Sequence, residues 1–481
     1  MVNLQDLPLE LLQGILSFIA NNNDIDIDEE FFSREFRDLA QPLLFRNFTD
    51  DVNTDRNKTI RFTKAIYERP GLGEHVRHVT IKPLPIKYTG KGIAKEHIKF
   101  YEGIIKDLQL GDMEKEWLIS MRNDGVNGLG LLIALLVTKT PNLRHLHMPD
   151  GQSRDRPFLY FFSRHPSFLS NLTSVSIEGD YKDTAVIIPD HEQLLSLPKL
   201  KSVVIESGHL DHSFPSSWTT GTLSADEFSF QGCHFVPEAL KKFMRACKSL
   251  KSFTYTKFDV IPSQRPFGDL LETHPEFNAA QATEEALQHK DTLEVFSVEL
   301  ATDREGYVDV KNYNSTRVNY GSFADFSVLK KICVSHAYLP AHPQLPATLE
   351  KLHISSCHSS TWEMARNIST DCKKGLYPQL TEVKVSALDT TAPFKLPWHE
   401  IPEGHTPEQC LLSLQDMFKG TKVEFDILPY KLPPPWDEDE EDTEDEVLDF
   451  DIYDGDDFGY DNDYNDYDYG DNYDNHFPLG L

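Results

Sequence analysis

One pattern, Leu-x-x-φ-x-φ with φ apolar, recurs along this chain and constrains its fold more than any other feature. It reads "LRHLHM" from Leu143, "LTSVSI" from Leu172, "LKSVVI" from Leu200, "LKSFTY" from Leu250 and "LEVFSV" from Leu293. It continues as "LKKICV" from Leu329, "LEKLHI" from Leu349 and "LTEVKV" from Leu380, with variants from Val76 ("VRHVTI") and Ala225 ("ADEFSF"). The closing φ-x-φ has period two, the mark of a short strand with one buried face. Helix-prone stretches such as "GLLIALLVTKTP" and "VPEALKKFMRACKS" separate the copies. Strand, crossover, strand predicts parallel strands with right-handed connections.

The copies are spaced mostly by roughly 20 to 36 residues, the range of a leucine-rich-repeat solenoid in which each unit buries its apolar edge by stacking on its neighbours. The expected fold is therefore α/β, an irregular solenoid of parallel strands and helical crossovers, with insertions near residues 90–130 and 258–290. Residues that alternate with the buried positions would share one open sheet face. Across the first half these are His145, His147, Ser174, Ser176, Ser202 and Ser229. Ser252, Thr254, Lys331, Lys351, His353 and Lys384 continue the face. Together they are the expected recognition surface for a target protein.

The amino end poses a separate question. In "LQDLPLELLQGILSFI" Asp6 can cap a helix, Pro8 suits its first turn and Glu10 sits near the positive end of the dipole. Leu11, Leu12, Ile15, Leu16, Phe18 and Ile19 cover more than the roughly 100° stripe of a surface helix, so a second apolar face needs a partner. The run of about a dozen apolar residues is too short for a span of roughly 20, and no Lys or Arg precedes it as in a signal peptide. A soluble protein of the cytoplasm, the nucleus or both is expected.

The segment "LPLELLQGILSFI" resembles the opening of the F-box family, and "FFSREFRDLAQPLLFRNF" resembles its closing segment. "YERPGLGEHVRHVTI" is similar to the connector into repeats in many fungal F-box proteins. The resemblance implies docking on the Skp adaptor, and through it a cullin, by Leu7, Pro8, Leu11, Leu12, Ile15 and Leu16. Phe36, Leu39, Leu43 and Leu44 would continue or support that surface. It implies a substrate-recognition subunit of a Skp-cullin-F-box ubiquitin ligase. The alternative is a noncatalytic F-box-derived scaffold or binding protein without ligase recruitment. The expected divisions are an F-box-like helical domain over 1–48, a helical connector over 49–75, the solenoid over 76–430 and an acidic tail over 431–481.

Charge supports the last division. Residues 437–481 hold 20 of the 77 acidic residues and none of the 47 basic ones, which is two-thirds of the net charge of −30. Such a segment repels itself and lacks aliphatic periodicity, so disorder is expected. Sustained acidity also argues against nucleic-acid binding. Asp24, Asp26, Asp28 and Glu35 imitate calcium-loop spacing, but Glu29 stands where the turn needs Gly. Cys233, Cys247, Cys333, Cys357, Cys372 and Cys410 form no CxxC pair and read as reduced thiols. There is no GxSxG, HExxH or phosphate loop, and "GVNGLG" from Gly125 lacks the order of a dinucleotide fingerprint. His353, Cys357, His358 and Cys372 do not follow a zinc spacing and read as solvent-facing His with buried Cys. The expectation is a chain that is not an enzyme and holds no metal or cofactor.

Overall fold

The structure is a computed structural model that describes residues 41–50, 57–82, 95–108, 110–122, 127–150, 157–179, 185–210, 213–257, 278–300, 318–357, 361–387 and 413–429. The chain divides into two units, Met1–Lys431 and Leu432–Leu481, and every described residue belongs to the first. Twelve strands of that unit form one continuous, wholly parallel sheet. They are β1 (Asn47–Asp50), β2 (His78–Ile81), β3 (His145–Pro149), β4 (Ser174–Glu178), β6 (Ser202–Glu206) and β8 (Glu227–Gln231). The second half comprises β10 (Ser252–Lys257), β11 (Val295–Leu300), β12 (Lys331–Ser335), β13 (Lys351–Cys357), β14 (Glu382–Ala387) and β15 (Glu424–Pro429). Spatial order follows chain order throughout. The sheet therefore has no point where strand order reverses, the place where open α/β sheets usually form a ligand crevice.

Each motif copy runs into one strand, and the reason is burial. In β3, β4 and β6 the pattern is half-buried, buried, half-buried, with Leu146, Met148, Val175, Ile177, Val203 and Ile205 pointing into the core. The crossover helices supply the other side of that core. In the helix Asn127–Thr138 every residue from Leu131 to Val137 is at most 1% exposed. A helix apolar all round must be enclosed all round, and the helices Asn57–Glu68, Asp112–Arg122 and Pro157–Arg164 pack against it. The helix Pro237–Ala246 instead buries one stripe, Ala239, Leu240, Phe243 and Met244, and starts at a proline whose missing N–H costs nothing there. The helix Asn57–Glu68 is anchored by the buried Asp50, whose carboxylate accepts from Thr59 N at 3.0 Å.

A smaller parallel sheet was not foreseen. It contains β5 (Val186–Ile187), β7 (Gly208–Leu210) and β9 (His234–Phe235). Gly208 permits it, because a Cβ there would lie 2.8 Å from Ile205 Cγ2 and 3.0 Å from Cys233 Sγ.

These observations correct the expected architecture. The fold is one continuous twelve-strand parallel sheet with α/β crossovers, and not a leucine-rich-repeat solenoid behind a short F-box helical domain. The sequence pattern specifies a strand with one buried edge and a leading Leu, which any parallel sheet covered by helices requires. The inference from spacing to a solenoid went beyond that. The F-box resemblance has no support in the architecture either: β1 begins at Asn47 and joins the sheet beside β2, across the boundary expected at residue 48. Leu7, Pro8, Leu11, Leu12, Ile15, Leu16, Phe36 and Leu39 lie outside the described residues. Leu43 and Leu44 are half-buried in a helical turn over 41–44. The calcium-like spacing and the acidic tail also lie outside them. No described helix is long and apolar enough to cross a membrane.

Candidate metal centre

Parallel register brings together side chains that are far apart in sequence. In β11, β12 and β13, Ser297, Cys333 and His353 occupy one row across the sheet, with Lys384 of β14 next in line. Phe296, Val298, Ile332, Val334, Leu352 and Ile354 face the core, so the alternating residues face the other way. Glu299 lies two residues beyond Ser297 and returns to that same face. Cys333 Sγ is 3.0 Å from Glu299 Oε1 and 3.1 Å from His353 Nδ1. The three ligand-type atoms all lie within 4.8 Å of one another.

The histidine is oriented from behind. His353 Nε2 is 2.9 Å from Ser386 Oγ on β14, which can accept the Nε2 proton and leave the Nδ1 lone pair directed at the cluster. Burial holds the imidazole pKa below its usual value, with Glu299 opposing and Lys331 adding to the shift. The ring is thus neutral near pH 7, the form that ligates metals. Burial, and then the charge of Glu299, push the Cys333 thiol well above the ordinary range. A thiol has one proton, so it can donate to Glu299 or to His353 but not to both.

Once a bound cation had displaced the thiol proton, Cys333 would supply a thiolate, and with the imidazole and the carboxylate this matches the donor set of a zinc-type cation with an open fourth position. Tetrahedral coordination at usual bond lengths separates sulfur and nitrogen by about 3.5 Å. The observed 3.1 Å is shorter than this by a few tenths of an ångström. Lys331 and Lys351 pair across β12 and β13 two residues before Cys333 and His353. Lys351 and Lys384 share Glu382, at 3.9 and 3.0 Å, whereas Lys331 is exposed and forms no ion pair among the described residues.

His145, His147, Ser174, Ser176, Ser202, Ser229, Ser252 and Thr254 all occupy half-buried positions that alternate with core residues. His147 bonds Glu178 at 3.1 Å, and the His145 ring stacks on His78 at 4.2 Å. Lys331, Lys351 and Lys384 surround the centre, and of all the residues expected on this surface only His353 enters it. Cys357 is buried and donates to Ile354 O at 3.2 Å, while Cys372 sits on the helix Thr361–Lys373. Neither joins a ligand group with His353 among the described residues, and His358 lies outside them.

This cluster corrects the functional expectation. Three convergent ligand-type groups stand against the expected noncatalytic receptor of a Skp-cullin-F-box ubiquitin ligase and against the noncatalytic F-box-derived scaffold. The expectation of no enzyme rested on linear motifs. Glu299 and Cys333 escaped it because the three ligand-type residues stand 34 and 20 residues apart, a spacing that matches no linear metal or catalytic motif. No protein-family model and no curated protein matches this chain.

Proposed function

We propose that the protein is a metal-dependent hydrolytic enzyme whose centre is Glu299, Cys333 and His353. The observation that carries this reading is the convergence of three ligand atoms within 4.8 Å on one sheet face, with His353 held by Ser386. A bound zinc-type cation supplies Lewis acidity and lowers the pKa of a coordinated water. The chain does the rest: Ser386 fixes the imidazole tautomer, Glu299 neutralises charge, and Lys331 attracts an anionic substrate toward the open side.

The test begins with metal alone. Titration of Co²⁺ into the full chain should produce a thiolate charge-transfer band at one equivalent, absent in Cys333→Ser. Ser386→Ala should weaken binding by about tenfold or more. Zinc-loaded protein should then hydrolyse p-nitrophenyl phosphate, and His353→Ala should not. Metal affinity unchanged by Cys333→Ser would refute the centre. Tight binding without turnover on phosphate and carboxylate esters would refute the enzymatic role.

A further inference from the structure

The residues that enter the strands form a second row, along one edge of the sheet. Arg77 N donates to Arg46 O at 2.8 Å, Arg144 N to Arg77 O at 2.8 Å, and Thr173 N to Arg144 O at 2.8 Å. The row continues through Lys201, Asp226, Lys251, Glu294, Lys330 and Glu350 by the same bonds. From Asp226 onward charge alternates in sign, and neighbours pair: Lys251 with Asp226 at 2.5 Å and Lys330 with Glu294 at 2.7 Å. The first three rungs depart from this rule. They place three arginines on adjacent rungs about 4.8 Å apart, and none has an acidic partner among the described residues.

Like charges on adjacent strands cost stability. Burial, and then repulsion from Arg144 and Arg46, lower the pKa of Arg77. Arg77 itself is anchored, its Nη1 donating to Glu74 O at 2.5 Å and Val76 O at 3.0 Å. Arg46 and Arg144 are exposed on either side. Beside them the rings of His78 and His145 stack at 4.2 Å with an interplanar angle of 8°. Desolvation lowers both imidazole pKa values, so the rings add N–H donors without adding charge near pH 7.

We infer that Arg46, Arg77 and Arg144, with His78 and His145, form a binding site for a short phosphate chain. Guanidinium forks match phosphate oxygens in a planar, bidentate geometry. Three consecutive rungs span about 10 Å, longer than one phosphate group and suited to two or three in line. A chain of net charge −30 repels long polyanions at a distance, which favours a short ligand over nucleic acid. This site is separate from the metal centre and stands or falls without it.

Calorimetric titration of the full, metal-free chain with inorganic tripolyphosphate is the test. Wild type should bind one equivalent, weakening as salt is raised. Arg46→Gln with Arg144→Gln should weaken binding about tenfold or more per guanidinium removed. Lys251→Gln with Lys330→Gln, in the compensated half of the row, should leave binding unchanged. Arg46→Lys with Arg144→Lys retains charge without the fork and should fall between, which keeps the test decisive if the Gln pair fails to fold. The inference is overturned if tripolyphosphate does not bind, if the Gln pair binds as wild type does, or if citrate binds equally well. Tighter binding of a single-stranded oligonucleotide than of tripolyphosphate would also overturn it.

Discussion

Glu178 and Glu206 stand directly opposite one another on β4 and β6, and His147 bonds the first of them at 3.1 Å. The environments of the two carboxyls therefore differ. Burial, and then the charge of Glu178, raise the Glu206 pKa above its ordinary 4.5, while His147 and Lys82 offset part of the shift. A raised carboxyl pKa means that the folded chain holds this proton more tightly than the unfolded chain does. Its contribution to stability is full below about pH 4.5 and is lost as pH rises through the folded value. Glu206→Gln should remove that loss, leaving the variant at least as stable as wild type at pH 7 and relatively weaker at pH 4. Urea denaturation at the two pH values checks this, and a variant less stable than wild type at pH 7 contradicts it. At this scale the sequence identified His147 and His353 as residues of the polar face, from alternation alone. Their chemical partners, Glu178 in one case and Cys333 with Glu299 in the other, came only from register.

The short helix Pro70–Gly73 separates two uses of glycine within one element. A Cβ on Gly73 would lie 2.0 Å from Lys139 O, at the end of the buried helix Asn127–Thr138, and 3.0 Å from Ile66 Cγ2. Gly71 has nothing within 4 Å of the same added atom. Gly73→Ala should therefore destabilise by about 1–3 kcal/mol, because backbone carbonyls do not step aside. Gly71→Ala should be neutral or stabilising by up to about 1 kcal/mol, through helix propensity and unfolded-state entropy. Chemical denaturation of both variants measures the contrast, and equal effects would show that the approach to Lys139 is not tight. Of the segment "YERPGLGEHVRHVTI", the closing "VRHVTI" was legible as a copy of the strand pattern. Which of the segment's glycines the packing needs was not, because Lys139 is remote in sequence.

Across the whole molecule, strand order equals chain order, so each strand touches only its sequential neighbours in the large sheet. Damage at one edge should stay local. Phe425 on β15 is buried and stacks on Phe418 at 4.8 Å between centroids. Phe425→Asp places a charge in that contact and should speed amide exchange in β14 and β15 by about tenfold or more, leaving β3, β4 and β6 protected. Equal loss of protection across all twelve strands would indicate a single cooperative unit instead. The amino-acid pattern alone was enough to place most strands, to tell which of their faces is apolar and to make them parallel, because these follow from periodicity two and from local helix signals. It left β1, β15 and the three-strand sheet unseen, since their short runs lack the leading Leu pattern. It also misassigned the architecture and the function, which were inferred from spacing and from a resemblance. That Glu299, Cys333 and His353 meet, and that Arg46, Arg77 and Arg144 line up, emerges from the folded chain. The motif copies put Cys333 and His353, and likewise Arg77 and Arg144, at matching positions, but which strands lie side by side, and so which side chains come within bonding distance, follows from long-range sheet pairing that no local pattern encodes.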